Sequence, residues 1–291
     1  MHTRKPSDRL IELPVEVFAR CLREEEFFDR HSSAADVPDE ALRVPARLSA
    51  IPREIQSYFP SLEGACVCEV GCGYGVIAAW FAQQGARVYG FDVSRANIRI
   101  ARRAARVNGV SDRVQLSVMP GECLSYASEM FDLVFGNAVL HHLDLALSAR
   151  EFYRVLRPAG VAIFREPLGE NRLLEWARNC SWRPENHRHS PDERALRYSD
   201  LDILREVFPQ TELREAELFA VLRAVCRKAE VGMIAIPRWE RAMQKLERLD
   251  RWLFQHFPAI RPLASYAVVC LHKSVPETAM ARAAGCTHHS R

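Results

Sequence analysis

Three alternating glycines, Gly71, Gly73 and Gly75, close the apolar stretch Cys66-Val-Cys-Glu-Val70 and open a helix-like one, and Asp92 ends the next apolar stretch. Glycine adds no Cβ, so a strand that ends this way lets its backbone approach a ligand at the start of the following helix. That is the chemistry of holding a nucleotide-type cofactor. A dinucleotide fingerprint would read Gly-x-Gly-x-x-Gly, with the pyrophosphate on the helix N-terminus. Here Val76 stands where that pattern places its third glycine. Glu69, just before the loop, would repel a pyrophosphate and favours a cationic or zwitterionic ligand. Asp92, about 20 residues on, is placed to accept hydrogen bonds from two ribose hydroxyls, as any adenosine cofactor would offer.

Further along, the chain reads Phe131-Asp-Leu-Val-Phe-Gly-Asn-Ala-Val-Leu-His-His142. Together with Glu69-Val-Gly-Cys-Gly-Tyr-Gly75 and Phe91-Asp92, in this order and spacing, it resembles a class I S-adenosylmethionine-dependent methyltransferase, closely over 62–167 and in outline elsewhere. The resemblance implies S-adenosylmethionine as cofactor, with the glycine loop on its methionine part, Asp92 on the ribose and the segment after the third strand around the adenine. It assigns to the cofactor Glu69, Gly71, Cys72, Gly73, Gly75, Asp92, Val93, Gly121, Glu122 and Asn137. The adenine segment departs from the family: Met119-Pro-Gly-Glu-Cys-Leu124 keeps Glu122 and Leu124 but has Pro120 where relatives carry an aspartate. Backbone groups of Gly121 and the Glu122 carboxylate are the remaining candidates for the ring edge.

Positioning these groups requires alternating strands and helices. Strands are expected at 65–70, 87–92, 114–118, 131–136 and 160–165, and helices at 75–84, 95–108 and 144–156. Such βαβ units give right-handed crossovers and a parallel, doubly wound Rossmann-like α/β sheet with helices on both faces. After a helix near 199–207, stretches 211–219 and 265–273 complete a seven-stranded sheet. The resemblance makes the last strand antiparallel. Ligands bind beyond the carboxyl ends of such strands, where Gly71, Asp92, Asn137 and Glu166 all fall.

Within the implied family, a methyl transfer needs the acceptor aligned and, for a hydroxyl or acidic carbon, deprotonated. The candidate catalytic residues are His142, Glu166 and His141. A histidine has the better unperturbed pKa for a base, and a carboxylate can take a proton or stabilise positive charge. Either histidine could instead cap the following helix or pack beneath the cofactor. His187 and His189, in the Pro/His/Arg-rich passage 183–194, read as loop residues near the acceptor mouth.

Residues 1–60 form an N-terminal extension with a helix over 15–30. Residues 61–273 form the methyltransferase domain, with acceptor-side insertions at 167–200 and 220–262, and 274–291 form a disordered tail. The second insertion carries Trp239, Met243, Leu246, Leu249, Leu253 and Phe257 at helical spacing beside Arg238, Arg241, Lys245, Arg248 and Arg251. It reads as a helix packed on the domain or, more sharply, as a segment that lies weakly on a membrane surface through 238–257 or holds an anionic acceptor such as an isoprenyl diphosphate. The expected partner is a small, hydrophobic metabolite methylated on oxygen, carbon or nitrogen.

A net charge of +3 is too small to imply a nucleic-acid partner, and no Asn-Pro-Pro-Tyr-type motif follows the fourth strand. Nine cysteines, an odd number without a second Cys or His pair at zinc spacing, fit reduced thiols and no metal site. With no apolar run of about 18 residues and no leader, the expected location is the cytoplasm. Two readings from other classes remain: a nicotinamide oxidoreductase, which lacks its glycine spacing, and a non-catalytic module that binds the cofactor.

Overall fold

The computed structural model describes residues 13–32, 37–45, 54–179, 190, 193–219 and 237–275, with the backbone alone at 54, 173, 177–179 and 237–244. Seven strands form one sheet: β1 (Cys66–Val70), β2 (Arg87–Asp92), β3 (Val114–Val118), β4 (Phe131–Asn137), β5 (Leu156–Pro167), β6 (Gln210–Ala216) and β7 (Tyr266–His272). Their order is β3-β2-β1-β4-β5-β7-β6, parallel except for β7, which runs antiparallel to both β5 and β6. Helices α4 (Val76–Gln83), α5 (Arg95–Val107) and α6 (Leu145–Val155) supply the crossovers, and α8 (Asp200–Val207) precedes β6. Before them come α1 (Val15–His31) and the short α2 (Asp39–Leu42) and α3 (Glu54–Tyr58), with α7 (Arg172–Asn179) following β5. Strand order reverses between β1 and β4, so the ligand crevice opens at their carboxyl ends.

Period-2 alternation assigns the sheet's two faces to separate cores. On β1, Cys66, Cys68 and Val70 join one core, and Val67 joins the other. On the first face α6 lays down Leu145, Ala149, Phe152 and Val155 at helical spacing, and on the second α4 contributes Ala78, Ala79, Phe81 and Ala82. Phe131 breaks the alternation of β4, packing with Val134 while Leu133 and Phe135 face the other way. The β4–β5 register shifts between Phe131 and Leu133, and such a bulge turns the neighbouring side chain to the opposite face.

The structure extends β5 back to Leu156, directly after α6, because Leu156 pairs with Phe131. It ends β6 at Ala216, where Glu217 turns the chain with φ 61°. Within the expected helical insertion, the described part is α9 (Pro237–His256) and a 3-10 turn over Pro258–Leu263. Phe254 of α9 packs with Leu168, Ala264 and Ala267, whereas Leu249, Trp252 and Phe257 are about half exposed. The residues 220–236, His187, His189 and the tail beyond 275 lie outside the described residues. Among those described, no helix is long and apolar enough to cross a membrane, and Cys21, Cys66, Cys68, Cys72, Cys123 and Cys270 are all free thiols.

Candidate active site

At the switch point lies a cavity with about 730 Å³ of empty space. The backbone of Gly71 and Gly73 forms one wall, with φ of 61° and 50°, a conformation that favours glycine. A Cβ on Gly71 would stand 2.6 Å from Val139 Cγ2, so the loop closes onto the turn after β4 with no room for a side chain. Asp92 lines the same wall, almost fully buried. Its Oδ2 accepts the Gly73 N–H at 2.9 Å, and its Oδ1 accepts the Ser94 N–H at 2.9 Å and the Asn97 amide at 3.2 Å. Burial pushes the Asp92 carboxyl up, against the pull of those three donors. The carboxylate thus ties the glycine loop to the start of α5, facing the cavity.

Val93, Gly121 and Glu122 join the cavity wall, with Val70, Phe91, Met119, Val139 and Leu143 supplying an apolar lining. Glu122, with a side chain 1% exposed, accepts Arg20 of α1 and the Asp144 N–H, the latter at 2.9 Å. Asp144 in turn caps α6 by accepting the Leu147 N–H at 3.0 Å. Burial raises the Glu122 carboxyl, opposed by these donors.

Glu69, Cys72, Gly75 and Asn137 stand close by but outside the wall. Glu69 is buried beneath the loop, where burial and the Asp92 charge raise its carboxyl well above the usual range and the Ala78 N–H opposes them; its Oε2 has no hydrogen-bond partner. Cys72 packs against Gly90. At Gly75 a Cβ would stand 2.7 Å from that of Ala101, so this glycine serves the contact between α4 and α5. Asn137 Oδ1 accepts Arg165 at 3.1 Å.

The three residues singled out as catalytic gather around the turn after β4, and they differ in kind. Glu166 is fully buried and turned to the backbone: its Oε1 accepts the Val139 N–H at 2.9 Å and the Leu140 N–H at 3.0 Å. These are orphan donors at the start of the 3-10 turn Leu140–His142, reached through Ala138 at φ 55°. Glu166 Oε2 takes the His141 Nδ1 at 2.7 Å, and His141 Nε2 lies 3.4 Å from Glu193 Oε1. Burial lowers the His141 pKa, but the two carboxylates outweigh it and hold it up at about 9. Of the three, only His142 lines the cavity.

Sequence reasoning missed the groups that surround His142. Helix α1 roofs the cavity with Arg20, Cys21, Glu24 and Phe28, one face of the helix. Glu24 is buried, its Oε1 accepting the Ser190 hydroxyl at 2.5 Å, and its Oε2 stands 3.1 Å from His142 Nδ1 without hydrogen-bond alignment. Glu193 Oε2 lies 4.0 Å from His142 Nε2. The amphipathic pattern of 15–31 announces a helix, yet nothing local pairs Glu24 or Glu193 with the histidines. None of the described residues of α9 lines the cavity.

The cavity fits S-adenosylmethionine on three observations. It has a glycine cradle that a Cβ would fill, buried carboxylates at Asp92 and Glu122 for hydroxyl and amino groups, and acidic surroundings suited to a sulfonium cation.

Residues 68–164 match the family described as a methyltransferase domain. The Methyltransferase GfsG of Streptomyces halstedii is 40% identical over 99 residues, covering 33% of this chain and 36% of that protein. The Ubiquinone biosynthesis O-methyltransferase of Rhizobium etli is 38% identical over 126 residues, covering 43% of this chain and 49% of that protein. The chain thus matches between about a third and a half of the length of these curated relatives. Among solved structures, the geranyl diphosphate C-methyltransferase of Streptomyces coelicolor, in complex with Mg2+, geranyl diphosphate and S-adenosyl-L-homocysteine, overlays with a TM-score of 0.55 at 14% identity, over 87% of this chain and 98% of that one. The Haemonchus contortus phosphoethanolamine N-methyltransferase 2, in complex with S-adenosyl-L-methionine, gives 0.56 at 17% identity over 86% and 60%. At these identities the overlays speak for the fold. Seven strands in this order, with a glycine loop and a buried acidic residue on the crevice, give the chain the fold of class I S-adenosylmethionine-dependent methyltransferases, and residues 68–164 match the methyltransferase-domain family.

Proposed function

We propose that the chain transfers a methyl group from S-adenosylmethionine to a small, largely hydrophobic metabolite, through an oxygen acceptor presented at the His142 end of the cavity. The observation that supports this reading is that one cavity is lined by Gly71, Gly73 and Asp92 and also by His142 and the buried Glu24. The cofactor, when bound, supplies an electrophilic methyl on a sulfonium, so the protein has only to align the acceptor, exclude water and manage one proton. Phe28, Val70, Phe91, Met119, Val139 and Leu143 give the cavity an apolar wall that suits a hydrophobic acceptor. His142 offers the imidazole at which an acceptor hydroxyl can leave its proton, and Glu24 stabilises the positive charge that follows. Backbone pinning by Glu166 keeps the turn that carries His142 in place. The acceptor of the ubiquinone O-methyltransferases similar to this chain favours oxygen over carbon or nitrogen.

The test is turnover of methyl-labelled S-adenosylmethionine against hydroxylated, aminated and carbon-acid acceptors, read by mass spectrometry together with release of S-adenosylhomocysteine. Label transfer confined to hydroxylated acceptors is the expected result. Cofactor binding without transfer to any class would leave a binding module, and no cofactor binding would remove the reading altogether.

A further inference from the structure

His141, His142 and Glu193 converge so that one atom of each, His141 and His142 ring nitrogens and a Glu193 carboxylate oxygen, lies within 4.8 Å of the others. The two rings sit side by side, centroids 4.3 Å apart and inclined by 38°. On His141 the far nitrogen is already engaged: Nδ1 meets Glu166 Oε2 at 2.7 Å, which fixes the ring and leaves Nε2 turned to Glu193. On His142, Glu24 Oε2 stands 3.1 Å from Nδ1 without hydrogen-bond alignment, and Nε2 lies 4.0 Å from Glu193 Oε2. A carboxylate behind each imidazole and a third carboxylate in front of both is the outer and inner shell of a metal site. Two ligands bound at about 2.1 Å to a tetrahedral ion stand about 3.4 Å apart, which is close to the separation of His141 Nε2 and Glu193 Oε1 at 3.4 Å.

Charge points the same way. Glu24, Glu166 and Glu193 crowd two imidazoles where the side chains are 0–17% exposed. Among the described residues, Arg194 holds Asp200 through two hydrogen bonds of 2.7 Å, and Arg20 holds Glu122. We propose that His141 Nε2, His142 Nε2 and the Glu193 carboxylate bind one divalent ion of the zinc class, beside the cofactor cavity. Two imidazoles and one carboxylate suit zinc, cobalt or iron better than magnesium or calcium, and three protein ligands leave a coordination position open.

That open position has a route to it. A second cleft, with about 790 Å³ of empty space, is lined by both histidines, Arg194, Leu196 and Asp200, and it shares Arg20, His142 and Leu143 with the cofactor cavity. The ligand class for the open position is an oxygen donor, a hydroxyl or carbonyl of the acceptor, held where the cleft meets the cofactor cavity at Arg20, His142 and Leu143. With the ion in place His142 is a ligand, and the acidification of an acceptor hydroxyl passes from the imidazole to the ion. The site itself stands on the cluster's geometry; only this use of it rests on the proposed methyl transfer.

The test uses the whole protein, stripped with a chelator and titrated with zinc chloride by calorimetry, with cobalt(II) as a spectroscopic substitute. One zinc per chain is expected, with visible cobalt bands of a low-symmetry nitrogen and oxygen site. Glu193→Gln and His141→Ala should each weaken zinc binding at least about tenfold, while S-adenosylmethionine binding by the same samples stays within threefold and reports an intact fold. If His141→Ala fails to fold, Glu193→Gln alone decides, because glutamine can still accept the Ser190 N–H that Glu193 now holds. Zinc uptake unchanged in the variants would put the ion elsewhere and overturn the assignment. So would no uptake by protein that binds the cofactor. Zinc binding that depends on both residues, in protein that binds no S-adenosylmethionine, would uphold the metal site and remove the proposed function.

Discussion

The two ends of the cavity are built on different principles. The cofactor end comes from consecutive βα units: Gly71 and Gly73 follow β1, Asp92 closes β2, and the groups that act are backbone N–H groups, missing Cβ atoms and one carboxylate. The histidine cluster draws Glu24 from α1, the histidines from the turn after β4, Glu166 from β5 and Glu193 from the segment before α8. Its groups are side chains, and their properties exist only once these distant segments meet. The glycine loop depends on main-chain shape; the histidine cluster depends on a backbone turn pinned by Glu166 and on the charges around it.

The hardest test of that contrast is Gly71→Val. A side chain there starts 2.6 Å from Val139 Cγ2 and occupies φ 61°, which a β-branched residue avoids. Cofactor affinity should fall by about a hundredfold or more, measured by calorimetry, whereas His142→Ala should leave it within about threefold. Equal losses in the two variants would erase the distinction between the ends.

Glu166→Ala comes next. It strips the acceptor from the Val139 and Leu140 N–H groups and from His141 in a fully buried place, so unfolding by denaturant should show a loss of about 3 kcal/mol. Glu166→Gln keeps an oxygen for the two N–H groups and should recover more than half of that loss. A glutamine variant as unstable as the alanine one would mean that charge on His141, rather than the backbone, dominates.

Asp92→Ala should cost about tenfold in cofactor affinity, from two lost ribose hydrogen bonds and a loosened Gly73. Its effect on acceptor affinity, measured with cofactor saturating, should be small. Coupling of the same size to the acceptor would show that the two ends act as one.

The contrast also explains what was legible in the sequence. The strands and the crossover helices were legible as short apolar runs and helical-period stretches, with β1, β4 and β5 buried on both faces and β3 and β6 made of half-buried and exposed residues. The spacing of Gly71, Gly73, Asp92 and the histidine pair could be read because one loop or one strand end fixes it. Gly75 looked the same in sequence, yet its conformation serves the contact with Ala101, a distinction only the packing of α5 on α4 makes. Glu24 and Glu193 were invisible for a related reason: each lies in an ordinary polar stretch, and only the docking of α1 and of the chain before α8 turns them toward the histidines. The β4 bulge, likewise, sits in a run whose residues are apolar on both faces, so no alternation marked it.

The smallest expected effect concerns how α1 is held over both ends. Asp29 Oδ1 accepts the Ser94 hydroxyl at 2.5 Å and the Ala96 N–H at 2.9 Å, anchoring the roof to the start of α5. Burial pushes the Asp29 carboxyl up, but these hydrogen bonds and the charges of Arg99 and Arg95 outweigh it, and its pKa lies below the usual 3.8. A carboxyl lowered in the folded state stabilises the fold above the unfolded value and loses that contribution as pH falls through the folded one. The anchor should therefore be intact above about pH 4 and released below it. Asp29→Ala should cost about 1 kcal/mol at neutral pH, as the loss of a helix cap does. Asp29→Asn should cost less and remove this part of the acid dependence, read from denaturant midpoints between pH 3 and 6. Since the anchor lies beside Asp92 rather than beside the histidines, its release should weaken cofactor binding before it disturbs the cluster around His142, and the opposite order would show that α1 is held mainly through Glu24 and the histidines.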